Sequence, residues 1–153
     1  MEKMKVVCID MDGVLCDYDN SWRDGIGRHP DQPFPQSEFG FFSNLRPYPG
    51  AIESFRELDQ HFKVYILTRP SNRNLSSYSE KAGWVRDKLG EHVLENLILC
   101  CDKSMVKGDY LIDDMTAHGQ SEFEGEHIHF GRGKFPDWKS VMNYLEPEMY
   151  VKA

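Results

Sequence analysis

The chain has 153 residues, 40% of them hydrophobic, and sets 18 Lys and Arg against 25 Asp and Glu for a net charge of −7. That length supplies one domain with a single core and leaves no room for a second large one. The acidic balance, without any basic run to neutralise successive phosphates, argues against long nucleic acid as a partner, and no stretch approaches the roughly 20 apolar residues that span a bilayer.

The first predicted element is a buried strand, Val6-Val7-Cys8-Ile9, which delivers Asp10-Met11-Asp12-Gly13-Val14 at its end. A helix is predicted over Asn20 to Arg28, capped by Asn20 or Ser21. Residues 29–50 are rich in proline and phenylalanine and are expected to be irregular, with one helical turn. Pro49-Gly50 opens a helix through about Gln60, whose Ile52, Phe55 and Leu58 form an apolar face. A strand over 64–67 ends on Thr68, and a Ser/Asn-rich loop over 71–77 leads into a helix from about Ser79 to Leu89, with Gly90 as its C-cap. Strands follow near 97–100 and 110–113, separated by the short segment Lys103 to Gly108. The apolar stretch His127 to Phe130 and a helix from Trp138 to about Leu145 complete the pattern. Strands alternating with helices predict an α/β domain with a parallel sheet.

Cys8, Cys16, Cys100 and Cys101 have no metal-ligand or redox spacing and read as reduced thiols. The first strand begins within about five residues of Met1, which leaves no space for a leader peptide. Together these predict a cytoplasmic protein.

The chemistry is concentrated at strand ends. Alternation in an extended chain puts Asp10 and Asp12 on one face, and Gly13 permits a sharp exit that leaves both open to a ligand. One carboxylate can attack an electrophile while the other handles a proton, provided a cation screens their repulsion. Thr68, Lys103 and the pair Asp113-Asp114 occupy equivalent positions after later strands, and the carboxyl ends of strands are where open α/β sheets place ligands. Each has a plainer reading: Thr68 as a helix cap, Lys103 as a surface lysine, the Asp pair as a solvated loop. Their shared position is what argues for a site.

These segments resemble the haloacid dehalogenase-like (HAD) phosphatases, and within them the 5′(3′)-deoxyribonucleotidases of the cytosolic and mitochondrial type C group. The resemblance is carried by Asp10-Met11-Asp12-Gly13-Val14-Leu15, His29-Pro30-Asp31-Gln32-Pro33-Phe34, Pro49-Gly50-Ala51-Ile52-Glu53, Glu80-Lys81 with Trp84-Val85, Asp102-Lys103 and Leu111-Ile112-Asp113-Asp114. It implies a Rossmannoid three-layer α/β/α domain over 1–153, with a small cap insertion at about 16–46 that is shorter than the family's. It implies Mg²⁺ as cofactor, Asp10 as nucleophile and Asp12 as general acid and base. The metal would be held by Asp10, the backbone carbonyl of Asp12 and Asp113, with Asp114 acting through water or as a brace. Thr68 and Lys103 would hold the phosphate. Arg69 stands where the family more often has Ser and is a further phosphate or ribose contact. In the shortened cap, Tyr18, Trp22, Phe41 and Phe42, with Phe34 and Phe39 nearby, either stack on a base or pack the cap onto the core. Arg132 and Lys134 read as a surface loop.

The leading expectation is a Mg²⁺-dependent nucleotidase acting on nucleoside monophosphates. The alternatives are a phosphatase for another small ester, such as a sugar phosphate, and a non-catalytic phospho-acceptor switch. Asp12 speaks against the switch, because an acid/base beside the nucleophile promotes turnover of the acyl phosphate. The oligomeric state is left open, with a homodimer among the options.

Overall fold

The computed structural model describes residues 3–150. Five parallel strands, β1 (Val6–Ile9), β2 (Lys63–Thr68), β3 (Leu97–Leu99), β4 (Tyr110–Asp113) and β5 (Glu126–His129), lie in the order β3-β2-β1-β4-β5. Register brings Ile9 level with Ile66 on one side and Ile112 on the other, so the ends of β2, β1 and β4 finish side by side.

The two faces of the sheet are covered differently, and the strand order explains why. Chain order moves outward from β1 to β3 in one direction and from β4 to β5 in the other, so right-handed crossovers fall on opposite faces. Val7, Ile9, Val64, Ile66, Ile112 and Ile128 face the side packed by α2 (Ala51–His61), α3 (Ser77–Leu89) and α4 (Trp138–Met149). Cys8, Leu67 and Leu111 face the other, where Phe123 and Val106 cover them from the connections after β3 and β4. Those connections contain only 3-10 turns, at Lys103–Met105 and Gln120–Glu122, so the expected third layer is thin.

The cap helix α1 (Tyr18–Arg28) begins two residues earlier than predicted. Its N-cap is Asp17, whose carboxylate accepts from the Asn20 amide, and not Asn20 or Ser21. Residues 29–50 carry one 3-10 turn, Pro35–Ser37, as expected. Gly50, at φ +79°, turns the chain into α2, and Gly90 caps α3. Two indoles tie the first turn and the cap to the body: Trp138 Nε1 donates to the Val14 carbonyl and Trp84 Nε1 to the Leu45 carbonyl, each at 2.8 Å.

Candidate active site

Asp10 is the first residue beyond β1, its amide still held by the Ile112 carbonyl at 2.9 Å. The chain then folds back: the amides of Val14, Leu15 and Cys16 converge on the Met11 carbonyl, and Gly13 takes φ +84°. A Cβ on Gly13 would lie 2.3 Å from Asp114 Oδ2, so the turn can seat Asp114 only because residue 13 has no side chain.

Four predicted elements meet at this edge. Carboxylate oxygens of Asp10, Asp113 and Asp114 all lie within 4.8 Å of one another. Lys103, buried, donates to Asp10 Oδ1 at 2.9 Å and to Asp113 Oδ2. Asp113 Oδ1 accepts from the Met115 amide at 2.9 Å and from Gln120 Nε2 at 3.3 Å. Both oxygens of Asp113 are therefore engaged, whereas Asp114 Oδ1 is buried without a partner among the described residues. Behind the pair, the stacked imidazoles of His127 and His129 place Nε2 atoms 3.0 Å from the Asp113 and Asp114 carbonyls, fixing the strand end.

The second cation of the site escaped the sequence reading. Lys81, on α3, is completely buried; its Nζ donates to Asp12 Oδ2 at 2.8 Å and Thr68 Oγ1 at 2.6 Å, and lies 5.0 Å above the Phe42 ring. The signal was positional: Lys81 precedes Trp84 and Val85 by three and four residues and so occupies their inward face. A lysine there needs a buried acceptor.

Electrostatics follow from this crowding. Burial raises the Asp10 and Asp12 carboxyls above the usual range, although Lys103 and Lys81 oppose it. Burial, reinforced by Asp10 and Asp113, pushes Asp114 up to about 8. Burial disfavours the charged Lys103, but the Asp10 and Asp113 charges outweigh it and carry its ammonium to about 12. Three converging carboxylates, an orphaned Asp114 oxygen and a donor set made only of hard oxygens fit a small divalent cation such as Mg²⁺.

A cavity of about 560 Å³ opens over these groups, within the range of small-molecule sites. Asp10, Asp12, Lys103 and Asp114 form its floor, Tyr18 and Phe42 one wall, and Arg69 another. Of the other cap aromatics, Phe41 is absent from the lining and packs edge-on against Tyr18 and Phe42 at 5.5 and 5.1 Å. Trp22 is also absent, and its Nε1 donates to Gln36 Oε1 at 3.2 Å. Phe39 is 87% exposed. Arg132 lines an adjoining cleft with Asp114 and Tyr48, and Lys134 lies in the tight turn closed between Gly131 and Phe135. Gln36, Asn72, Arg73 and His118 also line the main cavity, and no motif pointed to them.

Acid-tipped central strands of a parallel sheet, topped by a small cap, define a HAD-like α/β domain. A solved HAD family hydrolase from Deinococcus radiodurans R1, with bound phosphate and sodium, shares this fold at a TM-score of 0.56, covering 98% of this chain and 99% of that one at 13% identity. The family model described as 5′ nucleotidase, deoxy (Pyrimidine), cytosolic type C protein matches residues 33–143, and the chain belongs to this family. A protein of Vibrio phage KVP40 carrying the provisional name 5′(3′)-deoxyribonucleotidase is 41% identical, over 94% of this chain and 85% of its own length. The cytosolic type 5′(3′)-deoxyribonucleotidase of Homo sapiens is 34% identical, over 81% of this chain and 78% of that one.

Proposed function

We propose that this chain is a Mg²⁺-dependent phosphatase that hydrolyses nucleoside monophosphates through an aspartyl-phosphate intermediate. The observation that carries the reading is the pairing of the two cavity-lining aspartates with buried lysines: Lys103 on Asp10, and Lys81 on both Asp12 and the buried Thr68. In the first step an Asp10 oxygen bonds to phosphorus, the ester P–O bond breaks, and the leaving alkoxide takes a proton from Asp12. The raised Asp12 carboxyl suits it to carry that proton. In the second step Asp12 withdraws a proton from water as its oxygen attacks phosphorus, releasing Asp10 and inorganic phosphate.

Thr68 and Lys81 are assigned to the transferring oxygens, where charge must be stabilised. Lys103, between two carboxylates, is assigned to holding Asp10 ionised. The hydrogen bonding favours Asp114 over Asp113 as the direct metal ligand, because Asp113 has no oxygen to spare and acts as an anchor. Asp10, Asp114 and the Asp12 backbone carbonyl would hold Mg²⁺. When bound, it neutralises the carboxylates and withdraws charge from the phosphate.

The nucleotide reading is supported by the family, by the names of its relatives and by Tyr18 and Phe42, which offer aromatic surface beside the phosphate site. Free thiols at Cys8, Cys16, Cys100 and Cys101 accord with a cytoplasmic setting. Among the described residues no helix is long and apolar enough to cross a membrane. The test is phosphate release from nucleoside 5′- and 3′-monophosphates beside sugar phosphates, with wild type and Asp10→Asn, in Mg²⁺ and in EDTA. Release that survives either the substitution or the chelator would overturn the mechanism; release from sugar phosphates alone would overturn the substrate class.

A further inference from the structure

Arg69 and Arg73 both line the active-site cavity, and neither has a carboxylate oxygen within 4.0 Å among the described residues. Among the described residues Lys5, Arg46, Lys81, Arg86 and Lys103 are the lysines and arginines that pair with a carboxylate, so what sets Arg69 and Arg73 apart is their place on the active-site cavity. The buried ammoniums below them are already committed: Lys81 to Asp12 and Thr68, Lys103 to Asp10 and Asp113.

Both arginines are nevertheless held in place by uncharged groups. Arg69 Nη1 lies 3.0 Å from His118 Nε2. A guanidinium only donates, so Nε2 must be the bare acceptor nitrogen and His118 a neutral imidazole protonated on Nδ1. Burial, together with the Arg69 and Lys103 charges, lowers the His118 pKa and keeps it in that form. Arg73 stacks on the Phe34 ring at 3.8 Å. The loop between them is braced twice. Ser77 Oγ accepts from the Ser71 amide at 3.0 Å and donates to its carbonyl at 3.2 Å. Buried Asn74 donates to the Gln36 and Glu38 carbonyls of the cap, at 3.2 and 3.0 Å. Two guanidiniums that line one cavity, each held by an uncharged group and neither paired with a carboxylate, suit an oxyanion.

We propose that Arg69 and Arg73 form a second anion subsite, so that the preferred substrate carries a second phosphate, as a nucleoside 3′,5′-bisphosphate does. This rests on the phosphatase reading above, in which the reacting phosphate lies on Asp10, Thr68 and Lys81. Hydrolysis then cleaves the ester at Asp10, with the proton from Asp12 going to the leaving alkoxide and water supplying the oxygen of inorganic phosphate. The phosphate on the arginines stays on the product, a nucleoside monophosphate.

The test measures binding to the Asp10→Asn protein by titration calorimetry in Mg²⁺, using thymidine 3′,5′-bisphosphate and the 5′- and 3′-monophosphates. The bisphosphate is expected to bind roughly tenfold more tightly than either monophosphate, the ordinary gain from one charge-assisted contact. Arg73→Gln, at an exposed position, should erase that gap and leave monophosphate binding unchanged, and Arg69→Gln should weaken the bisphosphate more than either monophosphate. Equal affinities, or an Arg69→Gln loss shared equally by all three ligands, would overturn the proposal, the latter showing Arg69 on the reacting phosphate. If no thymidine phosphate binds while wild type still hydrolyses p-nitrophenyl phosphate, the nucleotide reading has failed by itself. Fructose 1,6-bisphosphate against fructose 6-phosphate then decides: an arginine-dependent gap supports the subsite and equal binding removes it.

Discussion

Lys81 Nζ and Asp12 Oδ2 meet at 2.8 Å across 69 residues of chain, joining α3 to the turn after β1. The contact sets Asp12 on the same side as Thr68, which the same ammonium touches. Lys81→Met, which keeps the stem and removes the charge, should lower kcat by about 10²–10³, the usual cost of losing one charge-stabilising group. It should also reduce stability by about 1–3 kcal/mol, because Asp12 loses the one hydrogen-bond donor it has among the described residues. Adding Asp12→Asn to it should restore the melting temperature without restoring turnover. An unchanged kcat in Lys81→Met alone would remove Lys81 from the phosphate site, and recovery of activity in the double variant would remove Asp12 as the acid and base.

Metal-free protein should lose stability as pH rises from about 4 to 8. Asp10, Asp12 and Asp114 all sit above the ordinary 3.8 in the folded state, Asp114 at about 8. Over that window the folded chain holds protons that the unfolded chain has released, so stability present at the acid end is withdrawn as these groups ionise. Lys103, raised to about 12, contributes stability lost only at far higher pH. Mg²⁺ competes with those protons, so its stabilising effect should grow with pH. Melting curves in EDTA and in Mg²⁺ across pH 5–8 check both slopes; a flat profile in EDTA would contradict the carboxylate crowding.

Gly13→Ala should weaken Mg²⁺ binding by about tenfold or more while costing roughly 1–2 kcal/mol from the left-handed backbone alone. The new methyl would occupy the space of Asp114 Oδ2. Calorimetric Mg²⁺ titration separates the two effects, and unchanged affinity would show that Asp114 is not a ligand.

Trp22 and Phe42 should respond differently to alanine. Phe42 is on the cavity wall beneath Lys81, so its loss should raise the nucleotide KM and lower kcat. Trp22 lies outside the lining, so its loss should lower the melting temperature and leave KM within about twofold. A large KM change for Trp22→Ala would place it on the substrate path, through Gln36 or directly.

The floor of the site could be read from sequence because strand ends follow short apolar runs, and a parallel sheet aligns those ends. Asp10, Thr68, Lys103 and Asp113 needed no knowledge of strand order to be grouped. Lys81 did, since its partners are 13 and 69 residues away and a helix face gives no hint of what it meets. The proposed sharing of labour between Asp113 and Asp114 was equally hidden, because it rests on which oxygens Lys103, Met115 and Gln120 already use. Cap aromatics were ambiguous for a simple reason: Phe41 and Phe42 are adjacent, and only the backbone decides which one faces the cavity. The thin third layer reflects connection length, since the segments after β3 and β4 are too short for a packed helix.

The indole of Trp138 reaches from the start of the final helix to the carbonyl of Val14, four residues beyond Asp10. α4 is therefore a buttress for the reacting edge although it contributes nothing to the cavity. Trp138, Val141, Leu145 and Met149 also belong to the main core, so changes in that helix reach the first aspartates through packing and not through chemistry.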